Sequence, residues 1–167
     1  MVPHNPEWQR EFQREAERIV AVLGNNAVAV HHVGSTAIPA IYAKPIIDLL
    51  LVVQDLSALD EKQTMMEALG YAALGEFSIP ERRYFRRDNK IGDRTHQVHA
   101  FENGSPQIQR HLAFRDYVIN NPTVAQEYSQ LKRELAGKYP NDSEAYMDGK
   151  DEFIREIDWR AAQQFDN

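Results

Sequence analysis

The chain has 167 residues, 43% hydrophobic and 26% charged, and its 25 acidic and 19 basic side chains leave a formal net charge of −6. That length suits a single domain over residues 1–167 with a sizeable core, and the acidic balance argues against bulk nucleic-acid binding, which rests on neutralising many phosphates. The absence of cysteine excludes disulfides, thiolate metal sites and a cysteine nucleophile; with neither a signal-peptide pattern nor a spanning apolar run to read, a cytoplasmic, membrane-free protein is expected.

Asn5-Pro6 predicts a helix start, and Trp8, Phe12, Ala16, Ile19 and Leu23 follow at helical spacing until Gly24-Asn25-Asn26. An apolar run at Val28–Val33 then meets Gly34-Ser35-Thr36, and eight residues from Ile46 to Val53, seven of them apolar, read as a central strand covered on both faces. Asp48 is the exception in that strand. An unpaired buried carboxylate is costly, so Asp48 either pairs with a cation or faces an opening. Leu56–Leu69 is expected to be one helix ended by Gly70, with Met65 and Met66 as core filler, and Tyr71–Leu74 a short strand.

Glu81–Arg87 carries four arginines in six residues, and strand alternation sets Arg83, Phe85 and Arg87 on one face against Arg82, Tyr84 and Arg86 on the other. Such a run is either a charged strand edge or a phosphate clamp, since guanidinium forks hold phosphate oxygens bidentately. After a turn at Asp88–Asp93, Thr95–Phe101 alternates, placing His99 and His96 on opposite faces. His32 falls two residues before Gly34 and is a second candidate for orienting Ser35 or a ligand. Three helices close the chain: one opened by Ser105-Pro106, one following Asn121-Pro122 with Val124, Tyr128, Leu131 and Leu135 as its stripe, and one from Ser143 with Tyr146, Lys150, Phe153 and Ile157. No internal repeat or long linker divides the chain.

Glycine at position 34 allows close backbone approach, and successive N–H groups at such a turn make an anion-binding concavity. His32-Val33-Gly34-Ser35-Thr36-Ala37-Ile38-Pro39, followed by Ala43-Lys44-Pro45-Ile46-Ile47-Asp48, resembles the signature of the GrpB family, small bacterial-type proteins with a nucleotidyltransferase-like fold. The likeness continues through Asn5-Pro6-Glu7-Trp8, His96-Gln97-Val98-His99 and Phe114-Arg115-Asp116-Tyr117, nearly the whole chain. It implies an α/β or α+β fold: a small mixed sheet centred on Pro45–Val53, an N-terminal helix and about three C-terminal helices.

The wider superfamily carries Asp-x-Asp on the central strand to hold divalent metal against a triphosphate. This chain has Asp48-Leu49-Leu50, and where a third carboxylate is expected it offers His99, with Glu102 just beyond. The resemblance therefore implies Asp48 as the catalytic residue and Asp48 with His99 as ligands of one divalent metal ion, magnesium, manganese or zinc. Gly34, Ser35, Thr36, Lys44, Arg83 and Arg86 are the candidate phosphate-binding residues, with Arg115, Lys132 and Lys150 lining the cleft from the helical side. The expected ligand is a small phosphorylated molecule, a nucleotide or a coenzyme, since GrpB-like domains occur attached to dephospho-coenzyme A kinase. Three functions fit: metal-dependent nucleotidyl transfer, a non-catalytic nucleotide- or coenzyme-binding module, and a protein-interaction domain.

Overall fold

The computed structural model describes residues 1–166. The elements run α1 (Glu7–Leu23), β1 (Ala27–Val33), β2 (Ile47–Val53), α2 (Leu56–Glu61), α3 (Gln63–Ala68), β3 (Ala72–Ala73), β4 (Arg82–Asp88), β5 (Arg94–Glu102), α4 (Pro106–Asn120), α5 (Pro122–Lys138) and α6 (Ser143–Asp166). The five strands form one sheet in the order β1-β2-β5-β4-β3. β2 and β5 pair in parallel, and every other neighbour is antiparallel. This is the expected mixed α/β architecture, with one helix before the sheet and three after it.

Alternation divides the sheet into two chemically distinct faces. Ile47, Leu49, Leu51, Val53, Val98, Ala100 and Phe85 pack against Trp8, Phe12 and Ile19 of α1, Leu59 of α2 and Met66 of α3. On the opposite face Leu50 and Phe101 pack with Val33, and Ile79, Ile108 and Leu112 cover them. That second layer stops short of Asp48, at the start of β2. A third cluster joins Ile38 and Ile41 to Val118 of α4, Val124 and Tyr128 of α5 and Ile157 of α6. The connection between β1 and β2 is thereby fixed to the C-terminal helices, whose polar side chains stand over the open end of the sheet.

Local chemistry sets the boundaries. Asn5 Oδ1 accepts from the Glu7 N–H at 3.0 Å and Ser105 Oγ from the Gln107 N–H at 3.3 Å, so α1 and α4 begin where expected. The helix expected over Leu56–Leu69 is instead two, because the Lys62 N–H turns to the Leu59 carbonyl, three residues back. The strand at Tyr71–Leu74 shrinks to Ala72–Ala73 at the edge of the sheet. Asn121 does not cap α5 with its side chain; its Nδ2 donates back to the Tyr117 carbonyl of α4 at 2.7 Å. Among the described residues, no helix is long and apolar enough to cross a membrane.

A buried ion cluster ties α1 to the sheet. Glu15 accepts from the Tyr71 hydroxyl at 2.7 Å, Arg87 Nη1 at 2.8 Å and Arg18 Nη1 at 3.1 Å. Arg87 also reaches His96, whose pKa burial lowers to about 4, so that the ring is neutral beside the guanidinium. This cluster occupies the face away from Asp48 and accounts for Arg87 and His96.

Candidate functional site

The site is built where β1 ends. Gly34 takes φ 75°, which a glycine adopts without the penalty a side chain would add. A Cβ placed there would lie 2.9 Å from both Cβ and Cγ of Asp48, so the absence of a side chain lets the turn close on the carboxylate. The helix expected after the turn is a single three-residue turn, Ser35–Ala37. It is too short to contribute a useful dipole, and the positive charge of the site comes from elsewhere.

Thr36 and His32 hold this turn in place. The Thr36 hydroxyl donates to the Ile46 carbonyl at 3.1 Å and meets His32 Nε2 at 2.9 Å. With its own proton directed to Ile46, Thr36 accepts from His32, which fixes His32 as the Nε2–H tautomer. Burial lowers the His32 pKa to about 4, and the ring stacks on Phe12 at 4.9 Å between centroids. His32 therefore faces α1 and supports Thr36 rather than Ser35, and the Thr36 hydroxyl is used inside the fold. The strand ends at Val33, and the left-handed Gly34 breaks the alternation that set His32 beside the turn.

Asp48 lies directly opposite Val33 on β1 and Gln97 on β5. Its Oδ1 is 3.2 Å from His99 Nε2. The other imidazole nitrogen, Nδ1, lies 3.4 Å from Arg82 Nη1. A guanidinium only donates, so Nδ1 is the acceptor and Nε2 carries the proton given to Asp48. Both His99 nitrogens are thus engaged, and the expected Asp48–His99 metal pair forms a hydrogen bond. Leu50, where a second carboxylate would stand, is buried. Among the described residues no group of three or more His, Asp or Glu side chains is arranged to hold a metal ion. This donor set does not fit a divalent ion.

Three lysines converge on the open end of the sheet. Lys44 Nζ sits 4.0 Å from the centroid of the Tyr146 ring, and Lys150 Nζ sits 4.6 Å from it. Lys132, only 2% exposed, donates to the Tyr42 carbonyl at 2.7 Å with its ammonium 4.6 Å from the Tyr128 ring centroid. Burial, then repulsion from Lys150 and Lys44, lowers the Lys132 pKa to about 7. Burial and Lys44 lower that of Lys150 to about 8, against an opposing pull from Asp48. Lys44 is lowered too, by burial and by Arg94. None of the three lysines is in an ion pair among the described residues. Buried Tyr128, whose pKa is raised mainly by burial, faces the Ser35 side chain and joins the lysines to the turn.

The arginines divide between the faces. Arg86 shares the face of Asp48, opposite Gln97, but Arg83 points the other way and grips Asp60 of α2 at 2.7 and 3.1 Å. Arg115 lies outside the cleft, its Nη1 donating to the His32 carbonyl at 3.1 Å and its Nε pairing with Asp116. Gly34, Ser35, Lys44, Asp48, His99, Lys132 and Lys150 come together; Arg83 and Arg115 do not join them. The sequence reading missed Arg82, although alternation had already set it with Tyr84 on the face that carries His99. It also passed over Tyr128 and Tyr146 as core residues, when each spacing of one helical turn, Tyr128–Lys132 and Tyr146–Lys150, marked a lysine held over a ring.

The GrpB protein family model matches residues 1–160. This chain belongs to the GrpB family. It is 43% identical over 155 residues to the UPF0157 protein YqkA of Bacillus subtilis, a match covering 93% of this chain and 45% of that protein. The chain thus spans less than half the length of that relative. A dephospho-CoA kinase of Mycolicibacterium paratuberculosis is 30% identical over 184 residues, covering 96% of this chain and 45% of the kinase. The crystal structure of the conserved protein GrpB from Enterococcus faecalis superposes with a TM-score of 0.94 at 38% identity, covering 99% of each chain. The fold and its cleft are thus described in a family whose members include both short and long chains.

Proposed function

We propose that this chain binds a nucleoside polyphosphate or phosphorylated coenzyme in the cleft between the Gly34–Ser35 turn, Asp48 and the lysines of α5 and α6. The observation that carries the reading is the convergence of Lys44, Lys132 and Lys150, from three separate segments, without a carboxylate partner among the described residues. Holding three ammoniums close enough to depress one another costs stability, and a polyanion between them converts that repulsion into attraction. The nucleotidyltransferase-like resemblance of the sequence and the dephospho-CoA kinase relative both favour a nucleotide or coenzyme as that anion. A lone Asp48, engaged by His99 and followed by Leu50, favours a binding module over two-metal nucleotidyl transfer. A cysteine-free chain acting on such ligands fits the cytoplasm.

Thermal unfolding in the presence of ATP, coenzyme A, dephospho-coenzyme A and inorganic tripolyphosphate tests the reading. A ligand at about one hundred times its Kd stabilises by about 2.7 kcal/mol, which raises Tm by about 5–10 °C in a chain of this size. Lys150→Gln should reduce the shift. No shift from any of the four at millimolar concentration would rule the cleft out as a phosphate site.

A further inference from the structure

The loop between β3 and β4 carries an exposed aromatic ring that the core does not require. Leu74 N–H donates to the Tyr84 carbonyl at 2.9 Å and Tyr84 N–H to the Gly75 carbonyl at 2.8 Å, closing a hairpin whose tip spans residues 76–81. Within it Phe77, Ser78 and Glu81 all have positive φ, at 47°, 73° and 63°. Each such residue costs about 1–2 kcal/mol, so the tip holds this shape only because its surroundings impose it. Arg82 donates through Nε to the Glu76 carbonyl at 3.2 Å and through Nη2 to the Phe77 carbonyl at 2.8 Å. The Glu81 N–H donates to Glu76 Oε2 at 2.6 Å, and Ile79 packs on the Leu50–Phe101 layer.

A loop pinned this firmly nonetheless leaves Phe77 53% exposed. Its ring lies almost parallel to Tyr84, at 14° and 5.1 Å between centroids. Tyr84 stands opposite His99 in the β4–β5 register, with the two rings 5.5 Å apart, and His99 holds Asp48. Phe77 therefore ends a continuous row that begins at the carboxylate of the cleft. From β4 to β1 is three strand spacings, about 14 Å, a span that seats a base at one end and a polyphosphate at the other.

We propose that Phe77, backed by Tyr84, is a stacking platform for the nucleobase of a ligand whose phosphates lie among the cleft lysines. This rests on the polyphosphate reading above and assigns the ligand a planar base and the chain a residue that grips it. Every base presents a π-face, so the platform adds affinity with little selection among bases.

Calorimetric titration of the full chain with ATP, UTP and inorganic tripolyphosphate separates the two readings. The expected result is that both nucleotides bind more tightly than tripolyphosphate, and that Phe77→Leu weakens them about ten-fold while leaving tripolyphosphate unchanged. Phe77→Trp should retain nucleotide affinity, and its added fluorescence, measured against the wild-type signal of Trp8 and Trp159, should be quenched by ATP. Tripolyphosphate binding as tight as that of either nucleotide, or a Phe77→Leu chain that binds ATP unchanged, would overturn the platform and leave the phosphate site standing. Binding of none of the three would overturn both. If Phe77→Leu does not fold, unquenched Phe77→Trp fluorescence at millimolar ATP overturns the platform by itself.

Discussion

Gly34 closes on Asp48 so tightly that position 34 has no room for a methyl group. Gly34→Ala should combine the left-handed backbone penalty with overpacking against the carboxylate, together about 2–4 kcal/mol. Urea denaturation of the variant against wild type measures this directly. A loss below about 1 kcal/mol would mean that the turn can open without disturbing the sheet. Polyphosphate affinity should fall as well, because the turn and Asp48 move together.

The lysine cleft gives two pH dependences of opposite sign. In the free protein Lys132 and Lys150 have pKa values of about 7 and about 8, below that of lysine in an unfolded chain. The unfolded state therefore holds more protons above about pH 7, and conformational stability rises from there toward about pH 10. A bound polyanion favours the charged lysines, so over about pH 7.5–9.5, where nucleotide phosphates are fully ionised, affinity should fall and binding should take up protons. Titration in buffers of different ionisation enthalpy reads the proton uptake. Affinity that stays constant over that range would remove these lysines from the site.

Much of this was legible in the residues. The run Ile46–Val53 with its one acid identified the central strand, and alternation correctly separated His99 from His96 and Arg82 from Arg83. What alternation does not fix is which face of β4 meets which face of β2. Arg83 and Arg86 were both assigned to the phosphate site although their spacing sets them on opposite sides; the structure gives Arg83 to Asp60. Convergence of the lysines depends on how α5 and α6 return over the start of β2, a long-range relation that no local spacing encodes. Likewise, His32 was set beside the turn by a strand period that Gly34 interrupts.

The Glu15 cluster holds the face of the sheet away from the cleft. Glu15 is buried and accepts from Tyr71, Arg87 and Arg18, so Glu15→Leu leaves Arg87 without its carboxylate and Tyr71 without its acceptor. The expected loss is about 3 kcal/mol, close to that for breaking other buried pairs. Chemical denaturation measures the loss, and calorimetry on folded protein should show unchanged polyphosphate binding. Weakened binding in that folded variant would instead reveal coupling across the sheet.

Metal alone should not stabilise the chain. Asp48 Oδ1 and both His99 nitrogens are hydrogen-bonded, and no third ligand stands nearby among the described residues. Magnesium, manganese and zinc, each added without nucleotide, should leave Tm within about 1 °C of the metal-free value. A zinc-specific rise abolished by His99→Gln would show that the Asp48–His99 bond opens to make a chelate.

Arg82 is the residue on which the hydrogen-bonding direction of this pair depends. By donating toward Nδ1 it leaves the His99 proton on Nε2, where it is shared with Asp48. Imidazole nitrogen-15 shifts of the wild-type chain should therefore report a single Nε2–H tautomer at His99. Arg82→Met removes the donor and frees the Glu76 and Phe77 carbonyls, so the tautomers should mix and the strained loop should relax. Both changes arise from one guanidinium, and they should appear together as new Phe77 ring shifts alongside the altered His99 signals. A variant that keeps the Nε2–H tautomer pure would show that Asp48 alone sets the proton, leaving Arg82 to the loop.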